Sequence, residues 1–187
     1  AATRFADMQK HWASTYTTPL NDKGIISGVT ANGKTNFLPD QKITRGDFAL
    51  MTANWLGLDL SRYASVSLPY ADAASIPKWD ENAVKALYAE GIMQGSKAGD
   101  GSLRANAKAS ITRAEAMTTI NRVLGRLPET ADDLLDDMIA WPDNPPDAWY
   151  YLAVQEATNS HDYDRKADTV HETWTGLQPA GNWAQYQ

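Results

Sequence analysis

The sequence predicts a mainly α-helical chain built from three helix-loop-helix repeats. Three observations carry that reading. A series of landmarks recurs in the same order at nearly one offset, 67 residues at Trp12/Trp79 and 68 at Arg45/Arg113. Helix start and stop signals sit at matching places inside each copy. The 187 residues are 43% apolar and 21% charged, the balance of a chain that buries a core.

The first copy covers residues 1–67. Phe5-Ala-Asp7 and His11-Trp12-Ala13 open it, and Gly24-Ile-Ile-Ser-Gly28 and Asn32-Gly33 follow. Its first helix is expected to be short, because the stretch is rich in Thr and meets Pro19. The Gly/Asn/Pro segment 28–40 reads as a loop. A second helix then begins at Ile43-Thr-Arg-Gly-Asp47 and stops at Gly57, with Phe48, Met51 and Trp55 on one face as core.

The second copy, 68–127, repeats this plan. Tyr70-Ala-Asp72 and Trp79 open it, and Pro77 suits the first helical turn. Trp79, Ala83, Leu87 and Tyr88 recur at helical spacing before Gly91-Ile-Met-Gln-Gly95. The segment 95–106 reads as a loop. Ile111-Thr-Arg-Ala-Glu115 then starts a helix ending at Gly125, with Met117, Ile120 and Leu124 on one face.

The third copy, 128–187, keeps the front of the unit and replaces the back. Trp141-Pro-Asp143 echoes Phe5-Ala-Asp7, and Trp149 echoes Trp12, but the glycine pair and the Thr-Arg box do not return. Ala131, Leu134, Met138 and Ile139 predict a helix from about residue 130, and 151–157 predict another.

Charge is distributed unevenly. Residues 1–67 and 68–127 each carry net +2, whereas 128–187 hold two Lys/Arg against twelve Asp/Glu. An anionic ligand therefore favours the first two thirds. The overall charge of −6 argues against a nucleic-acid partner. No apolar run reaches the length of a transmembrane helix. Ala1 to Arg4 show neither the basic nor the apolar part of a signal peptide. The absence of cysteine excludes disulfides, thiolate metal sites and cysteine nucleophiles.

Thr44-x-x-Asp47 and Thr112-x-x-Glu115 fit capping boxes, so the Thr and the acid start a helix. Arg45 and Arg113 have no capping duty. Each puts a five-donor fork beside free helix amides and the positive end of the dipole, which suits a carboxylate or phosphate. The alternative is a solvated Arg, or one paired with Asp7 or Asp72. Those two aspartates read either as turn caps or as ligand contacts. Trp12 and Trp79 read either as core anchors or as sugar platforms. Gly28 and Gly95 supply backbone that other residues resist, or allow a close approach. The nucleophile-elbow and phosphate-loop motifs are missing, and His171-Glu172 lacks the second His of a zinc helix. The expectation is a binding module rather than an enzyme, with no metal and no cofactor.

Taken together, these boxes resemble the S-layer homology domain, well over residues 5–126 and weakly over 140–177. The resemblance implies three repeats packed as a pseudo-threefold helical spindle. It implies an extracellular, cell-wall location, with non-covalent anchoring of a surface protein. The implied ligand is a secondary cell wall polymer, often pyruvylated, held in grooves between repeats, with Arg45 and Arg113 as central contacts. Asp7, Asp72, Trp12, Trp79, Gly28 and Gly95 are the other positions that the resemblance places at the grooves. Gly46 stands where the family has Ala, which is expected to weaken that helix start slightly. The third copy is expected to complete the fold without an Arg-type site, and the segment 143–151 to wall a groove against Arg113. The competing readings are a protein–protein module of a surface lattice and direct peptidoglycan binding.

Overall fold

The computed structural model describes residues 4–181. In chain order they form α1 (Ser14–Asp22), β1 (Val29–Ala31), β2 (Lys34–Asn36), α2 (Arg45–Trp55), α3 (Lys78–Ala89), β3 (Ser96–Lys97), β4 (Leu103–Arg104), α4 (Arg113–Leu124), α5 (Tyr151–Thr158), β5 (His161–Arg165) and β6 (Glu172–Leu177). Short 3-10 turns stand at Leu60–Tyr63, Ala73–Ser75 and Ala131–Asp133. Helices are prominent, and the strands form three separate antiparallel hairpins. No helix among the described residues is long and apolar enough to cross a membrane. The chain divides into two compact units at Ile111/Thr112.

In unit 1 the helices end as the glycines predict. Gly24, Gly57 and Gly91 each take a positive φ, and the residue after each reaches back to a carbonyl five positions earlier. That is the Schellman stop. α1 is short as expected, yet Pro19 does not end it, and the helix runs on to Asp22. The segments 28–40 and 95–106 are not plain loops. The first folds into the β1–β2 hairpin, closed by Asn32-Gly33 with both residues at positive φ, a turn that matches strand twist. The second folds into β3–β4.

Phe5, Met8 and Ile26 form one buried cluster with Phe37 and Met51 against it. α2 packs on α3, and the faces they bury are small-residue faces: Ala49, Thr52 and Ala53 on α2, and Ala83, Val84, Ala86 and Leu87 on α3. This corrects one expectation. Of the Phe48–Met51–Trp55 stripe, Met51 packs half-buried on the Phe5 cluster, Phe48 is half-buried, and Trp55 is exposed rather than core.

In unit 2, α4 lies against α5, and β5 pairs with β6. Leu124, expected in the core, is exposed; α4 buries Thr119 and Asn121 instead. The interior is largely polar and hydrogen-bonded. Asn121 donates to the Ala153 carbonyl (2.9 Å), Asn144 to the Tyr151 carbonyl (3.2 Å), and Gln155 to the Ile139 carbonyl (3.1 Å). Trp174 is its buried aromatic. The helix expected from residue 130 does not form beyond the 3-10 turn Ala131–Asp133. The Asp133 carboxylate explains why. It accepts from the amides of Glu129 and Thr130, from Thr173 Oγ1 and from Lys166 Nζ, which pins the turn and sends Leu134 extended.

Candidate functional site

The two Thr-Arg boxes start their helices alike and then diverge. Thr44 Oγ1 accepts from the Asp47 amide (3.0 Å), and Thr112 Oγ1 from the Glu115 amide (3.2 Å). At α4 the box is complete, because Glu115 also accepts from the Thr112 amide (2.8 Å). The caps are structural in both copies.

At α2 the chain covers its own helix start. The Arg45 amide donates to the Ala109 carbonyl and the Gly46 amide to the Ala107 carbonyl, each at 2.9 Å. Arg45 Nε donates to the Ala105 carbonyl (3.0 Å), and the residue is only 8% exposed. What remains is a cavity of about 10 Å³ lined by Arg45, Gly46, Tyr70, Gly95, Ala105 and Ala107, room for about one water.

The covering loop is held by Asp72, whose two oxygens accept from the amides of Ala105 and Asn106 (both 2.8 Å). Asp7 does the same in the first copy, accepting from Phe37 (2.8 Å) and Leu38 (2.7 Å). Burial pushes the Asp7 pKa up, but those amides outweigh it and hold the carboxyl below its ordinary value. Gly28 and Gly95 belong to the same device. A Cβ on Gly28 would sit 2.7 Å from the Phe5 ring and 2.6 Å from the Asn36 carbonyl; one on Gly95 would meet the Tyr70 ring at 2.5 Å. The opening aromatic of each of the first two copies therefore lies directly on the second glycine.

At α4 nothing of this kind is present. Among the described residues no acceptor meets the amides of Arg113 or Ala114, and no side-chain partner meets the Arg113 guanidinium. Arg113 and Ala114 both line an open groove of about 510 Å³. Its opposite wall comes from the third copy: Trp141, Asp143, Asn144 and Tyr150, with Val154 and Thr158 of α5. The segment 143–151 thus does wall a groove with Arg113. Trp141 holds the slot of Phe5 and Tyr70, but without a glycine hairpin to lie on it is 41% exposed, its indole N–H donating to Thr158 Oγ1 (2.9 Å).

Trp12 and Trp79 are not core residues. Together with Trp149 they occupy one slot in three copies, and each is 69% exposed. Trp12 stacks edge-on with Tyr16 (6.2 Å) and Trp149 with Tyr150 (5.4 Å). The structure therefore separates the candidate residues. Arg113 faces open space, Trp12 and Trp79 face solvent, and Arg45, Asp7, Asp72, Gly28 and Gly95 are engaged in holding the chain together. Sequence reasoning placed 143–151 at the groove but passed over Trp141, Val154 and Thr158 as lining; the echo of Phe-x-Asp in Trp141-Pro-Asp143 was the signal that could have led to Trp141.

Among the described residues two clusters carry metal-type donors. Glu129, Asp168 and His171 lie together at the surface, where Lys166 Nζ meets Glu129 (2.9 Å) and His171 meets Asp168 (2.6 Å). Glu156, His161 and Glu172 lie inside unit 2. There the guanidinium of Arg126 already supplies the positive charge, 2.9 Å from Glu172 and 3.1 Å from Glu156.

The profile of the S-layer homology domain matches residues 4–49 and 69–117. A cellulosome-anchoring protein of Acetivibrio thermocellus is 28% identical over 85% of this chain and 33% of its own length. An amylopullulanase of Thermoanaerobacterium thermosulfurigenes is 32% identical over 62% of this chain and 6% of its own, and an endoglucanase of a Bacillus species 31% over 51% and 9%. The chain spans a third or less of the length of these relatives.

Proposed function

The chain belongs to the S-layer homology family, and from that premise we propose that it holds a surface protein to the bacterial cell wall by binding an anionic wall polysaccharide in the groove at Arg113. One observation carries the reading: at α4 an Arg fork and two unbonded amides meet in an open groove that also has Trp141 and Tyr150 on its far wall. A helix start with free amides attracts an acidic group, and the Arg fork grips it in plane. The aromatic faces take the apolar side of a sugar ring. The similarity to a cellulosome-anchoring protein supports the same role. Binding, not catalysis, is the function of this module.

The two arginines do different work in this reading. Arg113 contacts the ligand, and Arg45 is a structural residue that fastens the 105–109 loop to α2. Trp12 and Trp79 offer exposed platforms for further sugars of the same polymer. Several weak contacts along one chain add up when their spacing fits.

Sedimentation with purified cell walls, before and after mild acid removes the secondary polymer, tests this. Arg113→Ala is expected to lose binding to untreated walls, and stripping is expected to abolish binding of the parent chain. Arg45→Ala is expected to melt earlier while its folded fraction still sediments. Undiminished binding by Arg113→Ala would sink the proposal, and binding that survives stripping would point to peptidoglycan itself.

A further inference from the structure

The same slot in three copies holds an aspartate, and two of the three are not available to a ligand. Both oxygens of Asp7 and both of Asp72 accept from backbone amides of the loop that follows their hairpin. In the third copy no described backbone amide donates to the aspartate. Asp143 is exposed, lines the groove, and has no hydrogen bond or ion pair with any described residue. It makes no pair with Arg113, although both face the same space. A groove with a separate unpaired cation and an unpaired anion is the electrostatic complement of a ligand that carries both charges. A uniformly anionic ligand would gain at Arg113 and lose at Asp143. The surroundings sharpen the contrast, because residues 128–187 hold twelve acidic against two basic residues. Trp141 and Tyr150 beside Asp143 add two aromatic faces, which attract an ammonium as well as a sugar ring.

Resting on the reading of the groove as a glycan site, we infer that its ligand is a zwitterionic sugar unit, an acidic substituent held by Arg113 and the α4 amides and a free, non-acetylated amine held by Asp143. Asp143 is then the residue that sets specificity for the amine, and acetylation of that amine removes its charge and unseats it.

Muramic acid and N-acetylmuramic acid are matched probes, since both carry the same carboxylate and only the first has a free amine. Titration of the whole chain with each, followed by NMR, is expected to show muramic acid binding at least about 10-fold tighter, the size of one lost charge-assisted contact. Asp143→Asn is expected to bring the two sugars level while keeping the weaker affinity, and Arg113→Ala to weaken both. Equal binding of the two sugars by the parent chain overturns the inference, as does no binding of muramic acid by a protein that still sediments with walls. In those cases loss of wall binding by Arg113→Ala keeps the groove as the anchoring site. If Arg113→Ala binds walls as the parent does, the groove reading and this inference fall together.

Discussion

The carboxylate of Asp80 occupies the space that a Cβ on Gly46 would need. Asp80 belongs to α3 and Gly46 to the first turn of α2, so a residue without a side chain is what lets these helices close up there. Helix propensity alone favours Ala over Gly by about 1 kcal/mol. The opposite outcome is expected here: Gly46→Ala lowers stability by about 1–3 kcal/mol through overpacking. Chemical denaturation measures it. The double variant Gly46→Ala/Asp80→Ala is expected to recover most of the loss, and additive effects would show that the two residues are not coupled.

Asp80 itself is an uncomfortable group. It is 1% exposed and neither oxygen has a hydrogen-bond partner. Burial, and then the nearby charge of Asp47, push its pKa up to about 6. A carboxyl raised in the folded state favours the protonated form, so its ionisation works against folding. Stability from this group is complete below its ordinary pKa of about 3.8 and is lost as pH rises through about 6. Asp80→Asn is expected to flatten that part of the stability profile and to gain about 2 kcal/mol at pH 8. Parallel pH profiles for parent and variant would expose the assignment as wrong.

His161 gives unit 2 a dependence of the same sign at higher pH. Nδ1 faces the Asn159 carbonyl (2.8 Å), an acceptor only, so that nitrogen carries a proton. Nε2 lies 2.7 Å from Arg126 Nη2 and 3.2 Å from Glu156 Oε2. Burial lowers its pKa, but Glu156 and the Asn159 carbonyl outweigh burial and raise it overall. The stabilisation is therefore whole below about 6.5 and fades as pH climbs through the raised value. An NMR titration is expected to place the His161 midpoint above that of a free imidazole. His161→Gln should make unit 2 melt at the same temperature across this range.

The Asp clamps predict unequal effects for one substitution made at three equivalent places. Asp7→Ala and Asp72→Ala each strip two amides of their acceptor and are expected to lower stability by about 1–3 kcal/mol. Asp143→Ala is expected to leave stability within about 0.5 kcal/mol, since the exposed side chain makes no hydrogen bond or ion pair with a described residue. Thermal melts of the three variants side by side measure this, and equal losses would contradict it.

What the sequence made legible was local. The cap at Thr44, the full capping box at Thr112 and the stops at Gly24, Gly57, Gly91 and Gly125 depend on residues within a few positions of one another, and all form as read except that Asp47 does not return to the Thr44 amide. Partners far along the chain were not legible. Whether Trp55 or Ala53 faces inward depends on how closely α3 approaches, and that distance is set by Gly46 and the alanines. The helix expected at 130 yields to Asp133, whose partners Lys166 and Thr173 lie more than thirty residues on. The difference between Arg45 and Arg113 is also non-local. Similar boxes receive different environments because the 105–109 loop meets the start of α2, whereas no described segment covers Arg113.

The polar interior of unit 2 has a thermal consequence. Asn121, Asn144, Gln155, Asn159 and Glu172, the last paired with half-buried Arg126, are buried where unit 1 buries Phe5, Met8, Ile26, Val84 and Leu87. Exposing apolar surface raises heat capacity and exposing polar surface lowers it, so unit 2 has the smaller heat-capacity increment per residue. Its stability curve is correspondingly flatter, and it loses less on cooling than a unit held by apolar contact. The unit that carries the open groove is thus expected to be the one whose folding responds less to the temperature of its surroundings.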